Sequence, residues 1–479
     1  MIQLIPKNDH HGVYHKNEFY SYRYIDEISD KVAIHIKSTL GERRNIGIYI
    51  SNSVDYVVAY FGILKSNNIV VPIYRKVTTY YELNKEINLC DLSAVVFNSE
   101  SSNDFDSFVF KKGLCTKIDI INNLDLKLCV LSDSSISEVN NENVSFLFQS
   151  SGSTNNPKKI MHSFENIITN MKLHVEAASL NHSEKTLIQL PMTFGYCNTA
   201  QMLAHIYLCA DIYIGKTFSP NDFIKQIKEY NITNTILVPT QLVALSCYTN
   251  ISELNHCSLK KVFYGGSHLS SDALLKLIEA CPEVEFINTY GQTEAGPRIT
   301  INLCNKIDGK LFSAGVPLRG IKLEIRNAYV NELGQKMGDI YVNTPSSMLG
   351  YYKNEKLTEQ TIQNGWINTG DIGYIDEDGY LYITGRKKNI IIVGGINVYP
   401  EEIEDVILGY PNVEQVRVFG EDNPLLGEII CAQIECVEGT QLSSLDILRY
   451  CSERLSPHKI PFKIYFSHIE KTLNGKIKR

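Results

Sequence analysis

No apolar run in the chain reaches the roughly 18 residues that a membrane-spanning helix requires, so no membrane span is expected. The opening residues, Met1-Ile2-Gln3-Leu4-Ile5-Pro6-Lys7, lack the charged-then-apolar plan of a secretory signal. Together these absences lead to the expectation of a cytoplasmic protein. Basic stripes are also missing, and the net charge is −7. A nucleic-acid partner is therefore not expected, since phosphate-backbone binding rests on clustered lysine and arginine. The 12 cysteines include no CxxC pair, so neither zinc spacing nor a disulfide framework is indicated. Scattered cysteines of this kind serve mostly as small core residues. Internal repeats and low-complexity tracts are absent. With 44% hydrophobic and 21% charged residues the composition is that of a globular protein, and 479 residues exceed one ordinary domain.

What is present has a rhythm. Ile46-Gly47-Ile48-Tyr49-Ile50 reads as a buried strand, and Ser51-Asn52-Ser53 offers N-cap oxygens. Apolar residues then recur at helical spacing from Val54 to Lys65, and Ile69-Val70-Val71-Pro72-Ile73 is the next strand. Strand, helix and strand in this order predict a βαβ unit with a parallel sheet. Further strands are expected at 94–97, 127–131, 144–148, 235–238, 261–264 and 284–288. Several run directly into polar or glycine-rich turns, where open α/β sheets bind ligands. After about residue 300 the texture becomes glycine-punctuated short strands, at 338–342 and 378–383. A compact α+β segment follows, with Pro400-Glu401-Glu402 opening a helix, strands at 413–419 and 429–437, and a helix at 445–455.

The most informative stretch is Phe148-Gln149-Ser150-Ser151-Gly152-Ser153-Thr154-Asn155-Asn156-Pro157-Lys158-Lys159. A buried strand runs into a hydroxyl-rich loop with a glycine and a lysine. Hydroxyls and backbone N–H groups suit anionic oxygens, and Lys158 adds a point charge. The glycine and Gly-Lys-Ser/Thr spacing of nucleotide hydrolases is missing. By itself such a loop can equally be a polar surface turn.

The loop resembles the signature of the acyl-adenylate-forming superfamily: acyl-CoA synthetases, aryl-CoA ligases, luciferase and the adenylation domains of nonribosomal peptide synthetases. The family loop runs Ser/Thr-Ser-Gly-Ser/Thr-Ser/Thr-Gly-x-Pro-Lys-Gly. Ser150, Ser151, Gly152, Ser153, Thr154, Pro157 and Lys158 match it, while Asn155 and Lys159 stand where the family has glycine. Asparagine is the residue other than glycine that best tolerates positive φ.

Further motifs follow in the family's order. Asn288-Thr289-Tyr290-Gly291-Gln292-Thr293-Glu294 is similar to the family's Y-G-x-T-E segment. The resemblance implies that Tyr290 packs near adenine, Thr293 contacts the α-phosphate and Glu294 holds Mg²⁺. Gly265-Gly266-Ser267 corresponds to a small-residue wall beside adenine and acyl group. Trp366-Ile367-Asn368-Thr369-Gly370-Asp371 matches W-x-x-T-G-D, with Asp371 accepting from the ribose hydroxyls. The segment 385–404 matches the hinge region: Arg386 would touch ribose and phosphate, Lys388 would be the hinge residue, and Gly394 and Gly395 would line a pantetheine tunnel. Asn474-Gly475-Lys476 resembles the C-terminal motif, with Lys476 as catalytic lysine. Singly, each of these short segments has a plain structural reading, such as a helix start, a turn or a solvated tail. Their common order is what identifies the family.

The resemblance implies an α/β N-terminal domain with parallel and mixed sheets plus a small β subdomain over 1–385, a hinge at 386–388, and a small mobile α+β domain over 389–479. It also implies a two-step activity with ATP and Mg²⁺: a carboxylic acid becomes acyl-AMP, and CoA or the phosphopantetheine of an acyl or peptidyl carrier protein then takes the acyl group. The acid pocket would be lined by the stretch after Leu190-Pro191, including Phe194, Tyr196, Asn198 and Thr199. Counting back from Cys209-Ala210 puts Tyr196 where amino-acid-activating members carry an aspartate, and 192–199 contains no acidic residue. An unpaired ammonium in a pocket is costly, so the expected substrate lacks a free α-amino group. Phe164 stands where many acyl-CoA synthetases have histidine. Two alternatives remain at this point: an amide-forming or amino-acid-adenylating ligase, and a non-catalytic nucleotide-binding member.

Overall fold

The structure is a computed structural model that describes residues 5–74, 80–100, 113–117, 124, 126–131, 143–149, 158–267, 269–303, 309–331, 334–393, 396–423, 427–471 and 477. The expected loop residues Ser150, Ser151, Gly152, Ser153 and Thr154, the glycines Gly394 and Gly395, and Lys476 lie outside the described residues.

Strand Asn45–Tyr49 is buried at every position and pairs in parallel with Ile69–Pro72 and Leu92–Asn98. Its unbroken apolar run is what a strand covered on both faces requires. The helix Val54–Lys65 forms where its periodicity places it, and Ser53 Oγ accepts from the Tyr56 N–H at its N-terminus. It packs against the helix Tyr22–Leu40. Gly62 permits the close approach: a Cβ there would stand 2.4 Å from Val32 Cγ1.

Among the described residues four sheets form. One has eight strands around Asn45–Tyr49 and includes Val144–Gln149 paired antiparallel with Lys159–Ser163. The second has nine strands. Its centre is parallel, through Gly12–His15, Asp211–Ile214, Lys185–Ile188, Asn234–Leu237, Lys261–Gly265 and Glu285–Tyr290. Thr300–Leu303 then closes antiparallel on Glu285–Tyr290. The third is a small antiparallel sheet built from Lys322–Val330, Lys336–Asn343, Trp366–Ile375, Ile362–Gln363 and Leu381–Arg386. The fourth joins Ile391–Val393, Ile396–Val398, Val413–Asn423, Gly427–Cys436 and Lys463–Phe466, with the helices Pro400–Leu408 and Ser444–Ser452 contributing to its core. This is the α/β and α+β arrangement the motifs imply.

Strand ends shift by small amounts with local causes. The strand expected at 378–383 starts at Leu381, because Asp376 Oδ1 accepts from the N–H groups of Asp378 and Tyr380 and folds 376–380 into a turn. From Arg386 a 3₁₀ turn, Lys387–Asn389, leads into the fourth sheet. Tyr399 reaches back from that part to pack on Met337 and Ile372, and its hydroxyl meets that of Tyr329. No helix of the described residues is long and apolar enough to cross a membrane.

Candidate active site

Strand pairing creates the first half of the site. In the small antiparallel sheet Asp371 lies directly opposite Arg386. That register brings Arg386 Nε to 2.9 Å from Asp371 Oδ1. The other carboxylate oxygen accepts from Tyr290 Oη at 2.6 Å. Asp371 is 3% exposed, and its negative charge holds the Arg386 guanidinium above its ordinary pKa. Burial, reinforced by the Asp371 charge, pushes the Tyr290 phenol well up. Three residues from three sequence motifs thus share one carboxylate at the carboxyl end of Glu285–Tyr290.

The second half is the turn that follows this strand. Glu294 Oε1 accepts from Tyr351 Oη at 2.9 Å, and Lys158 Nζ sits 5.3 Å from the centre of the Tyr351 ring. Burial and the Glu294 charge raise the Tyr351 phenol. The backbone of the turn is clamped from several sides. His162 Nε2 donates to Thr293 O at 2.7 Å, Met348 N donates to Glu294 O at 2.8 Å, and Ser346 Oγ donates to Ala295 O at 3.0 Å. Asn170 donates to Arg298 O at 2.8 Å and accepts from Arg298 N at 3.1 Å. Such fixed partners suit a site whose groups must not reorganise during reaction.

A third wall comes from the nine-stranded sheet. Gly265 pairs with Thr289 so closely that a Cβ would lie 2.1 Å from Thr289 O. Gly266 follows at φ 86°, a conformation that favours glycine, and both it and Ser267 are exposed. Thr289 Oγ1 donates to Tyr264 O at 2.8 Å, so the 3.0 Å bond between Tyr196 Oη and Thr289 Oγ1 has the tyrosine as donor. Asn288 donates to Ser313 O at 3.0 Å. Phe194 stacks at a tilt on Tyr74, with 5.0 Å between ring centres.

One of the residues expected to line the acid pocket points elsewhere. Asn198 opens a π-helical turn, Asn198–Leu203, and faces the core, accepting from Tyr60 Oη at 3.0 Å and donating to Met192 O at 3.3 Å. Thr199 is fully buried in the same turn. Helical spacing explains the turn of Asn198 away from Tyr196, since neighbours two apart on a helix do not share a face. Lys159, which replaces a glycine of the phosphate motif, also turns inward and pairs with Glu86 in a buried ion pair. Lys388 is exposed, and beside it Lys387 Nζ binds Asp339 at 2.8 Å.

Sequence reasoning passed over Tyr351, His162 and Arg298. Arg298 lies four residues beyond Glu294, and is only 1% exposed. An arginine beside a Gly-Pro turn at the end of a ligand motif was the one available signal.

His162 gives a pH prediction. Burial lowers its pKa to about 4, with the Thr293 carbonyl partly opposing. The unfolded imidazole titrates near 6.5. Between these values the unfolded chain binds the extra proton, so stability falls as pH falls. His162 alone is expected to remove about 2 kcal/mol between pH 7 and pH 5. Urea unfolding at both pH values measures this, and His162→Gln should flatten the slope. An unchanged slope would show that His162 is hydrated or paired differently.

The AMP-binding enzyme family model matches residues 6–352, and the AMP-binding enzyme C-terminal domain matches 402–476. A 2-succinylbenzoate–CoA ligase of Bacillus licheniformis is 29% identical over 69% of this chain and 68% of its own. A putative acyl–CoA ligase, YdaB, of Bacillus subtilis is 31% identical over 71% of this chain and 67% of its own. Among solved structures, o-succinylbenzoate CoA synthetase from Bacillus subtilis with its acyl-adenylate intermediate superposes with a TM-score of 0.82 at 22% identity, covering 98% of this chain and 94% of that one.

Proposed function

We propose that this chain, which belongs to the AMP-binding enzyme family, is an acid–thiol ligase that converts a carboxylic acid and ATP to acyl-AMP and pyrophosphate, then transfers the acyl group to coenzyme A. The observation that carries this reading is the meeting of Tyr290, Asp371 and Arg386 on one carboxylate, beside a turn that presents Thr293 and Glu294.

In this reading Asp371 keeps lone pairs for the ribose hydroxyls, since a carboxylate has about four acceptor sites and two are occupied here. Arg386 and Lys158 place positive charge near the phosphates. Glu294 presents Oε2 while Tyr351 holds Oε1. No group of three or more His, Cys, Asp or Glu capable of holding a metal occurs among the described residues. The Glu294 carboxylate fits Mg²⁺, which takes one or two carboxylates plus substrate phosphates. When bound, Mg²⁺ supplies the charge that lets one anion approach another. Thr293 would contact the α-phosphate. Ser150, Ser151, Gly152, Ser153 and Thr154 would cradle the outer phosphates, and Lys476 would stabilise the transferring group. Gly266 and Ser267, with Asn288 and Thr289, would flank adenine and acyl group, and Phe194 and Tyr196 would touch the acid.

Such catalysis is positioning plus electrostatic stabilisation, with no covalent enzyme intermediate. The second step needs a different arrangement: the part from 389 to 479 would turn about 386–388, with Lys388 absorbing the torsion and Gly394 and Gly395 admitting the pantetheine arm. The substrate acid carries no free α-amino group in this reading, because Tyr196 lies against the cationic Arg298. The test is acid-dependent exchange of ATP with labelled pyrophosphate across aliphatic, aryl and amino acids, repeated with coenzyme A, a carrier protein and an amine as acceptors. Thioester formation on coenzyme A is expected. A product only with amines would make the protein an amide-forming ligase, and no affinity for ATP or AMP would overturn the reading.

A further inference from the structure

The side chain of Arg298 is buried to 1% exposure and, among the described residues, has no carboxylate partner. Its Nη1 donates to Pro297 O at 3.2 Å, while Nε and Nη2 are buried and have no hydrogen-bond partner among the described residues. These two nitrogens flank the same edge of the planar guanidinium, the edge that grips a carboxylate with two parallel bonds. One face of the plane is covered by Tyr196, whose ring centre is 3.7 Å from the guanidinium carbon. Burial pushes the pKa down to about 10, so the group stays charged at neutral pH. The neighbouring His174 adds no second positive charge, because burial and the guanidinium together hold its pKa well below 6.5.

The location is as specific as the chemistry. Ile299 N donates to Tyr290 O at 2.8 Å, and Thr300 pairs with Tyr290 across the antiparallel strands. Residues 291–299 therefore form one turn, with the candidate catalytic Thr293 and Glu294 at its start and Arg298 near its close. Opposite it stands the segment of Phe194 and Tyr196, where a Cβ on Gly195 would come 4.0 Å from Thr293 Cγ2. A buried, charged, unfilled fork on the acid side of an adenylation site is costly unless an anion completes it.

We propose that the acid activated here is a dicarboxylic acid, whose non-reacting carboxylate docks on Nε and Nη2 of Arg298 while the other is adenylated. This rests on the adenylation reading above and names the substrate class for it. Two parallel charge-assisted bonds would fix the acid along its length, and the Tyr196 ring would hold the plane of the fork.

The experiment pairs straight-chain and aryl dicarboxylic acids with isosteres in which the far carboxylate is a methyl group. Pyrophosphate exchange and ligand-induced shifts in Tm are read on wild type, Arg298→Gln and Arg298→Lys. In wild type the best dicarboxylate should exceed its isostere in kcat/KM at least about 10³-fold, since a site built for a polar group strongly rejects the analogue lacking it. Arg298→Gln should bring that ratio near one, with KM for ATP unmoved, and Arg298→Lys should recover part of it. Should Arg298→Gln not fold, the Arg298→Lys ratio and the wild-type Tm shifts decide. Exchange with monocarboxylates, and neither exchange nor a Tm shift with dicarboxylates, overturns the Arg298 assignment and leaves the activity standing. An Arg298-dependent Tm shift without exchange on any acid would do the reverse. Equal loss for both acid classes in Arg298→Gln would reduce Arg298 to a structural residue.

Discussion

Replacing Lys476 by alanine is expected to lower acid-dependent ATP–pyrophosphate exchange by roughly 100- to 1,000-fold, the usual cost of removing one donor to developing charge. Thioester formation from supplied acyl-AMP should largely survive. The asymmetry follows from the chemistry. Adenylation brings a carboxylate to a triphosphate, two anions whose repulsion a lysine on the transferring phosphate offsets. Thiol attack on acyl-AMP expels a phosphate ester and gains little from that lysine, which must withdraw if the smaller part turns. Single-turnover assays of the two half-reactions separate the cases. Equal loss in both would refute the assignment of two conformations and make Lys476 a stabilising or binding residue. Lys471 and Ile477 form an isolated antiparallel bridge.

Asp371→Ala should have a comparable effect on nucleotide binding. The carboxylate joins Tyr290 and Arg386, so its removal would strip the proposed ribose contacts and takes the anchor from both neighbours at once. KM for ATP, or the Kd of AMP by titration calorimetry, is expected to rise about 10²-fold, since charge-assisted contacts contribute roughly 1.5–3 kcal/mol each. The stability cost should be of similar size. Arg386 is 41% exposed and can turn to water, whereas the Tyr290 hydroxyl is left without its partner, at about 1–3 kcal/mol. Asp371→Asn should lie between, because it keeps the shape and one acceptor but loses the attraction to Arg386. Wild-type AMP affinity in Asp371→Ala would remove the residue from the nucleotide site.

Much of the architecture was readable because local rules and the fold agree. The helix Val54–Lys65 has its cap, its apolar spacing and its buried partners all in register. Strands such as Asn45–Tyr49 declare themselves by unbroken apolar runs. The candidate site is less evenly legible. Tyr290, Thr293, Glu294, Asp371 and Arg386 stand in short motifs that survive inspection of the chain alone. Tyr351 and His162 do not, because what they do depends on partners 57 and 131 residues away. Asn198 misleads for the converse reason. It lies two residues from Tyr196, yet the helical turn that carries it rotates its side chain into the core.

The order of motifs along the chain determined the family and its chemistry, for a triphosphate, a hard cation and an acid demand particular residue types wherever the backbone delivers them. Only the folded arrangement decided which of those residues meet. Register across two antiparallel strands set Asp371 against Arg386. One closing turn placed Arg298 on the face of Tyr196 with half of its guanidinium unanswered. Charge and hydrogen-bonding capacity belong to residues and can be read in a line, whereas satisfaction of that capacity is a property of distances, which exist only after the chain has packed.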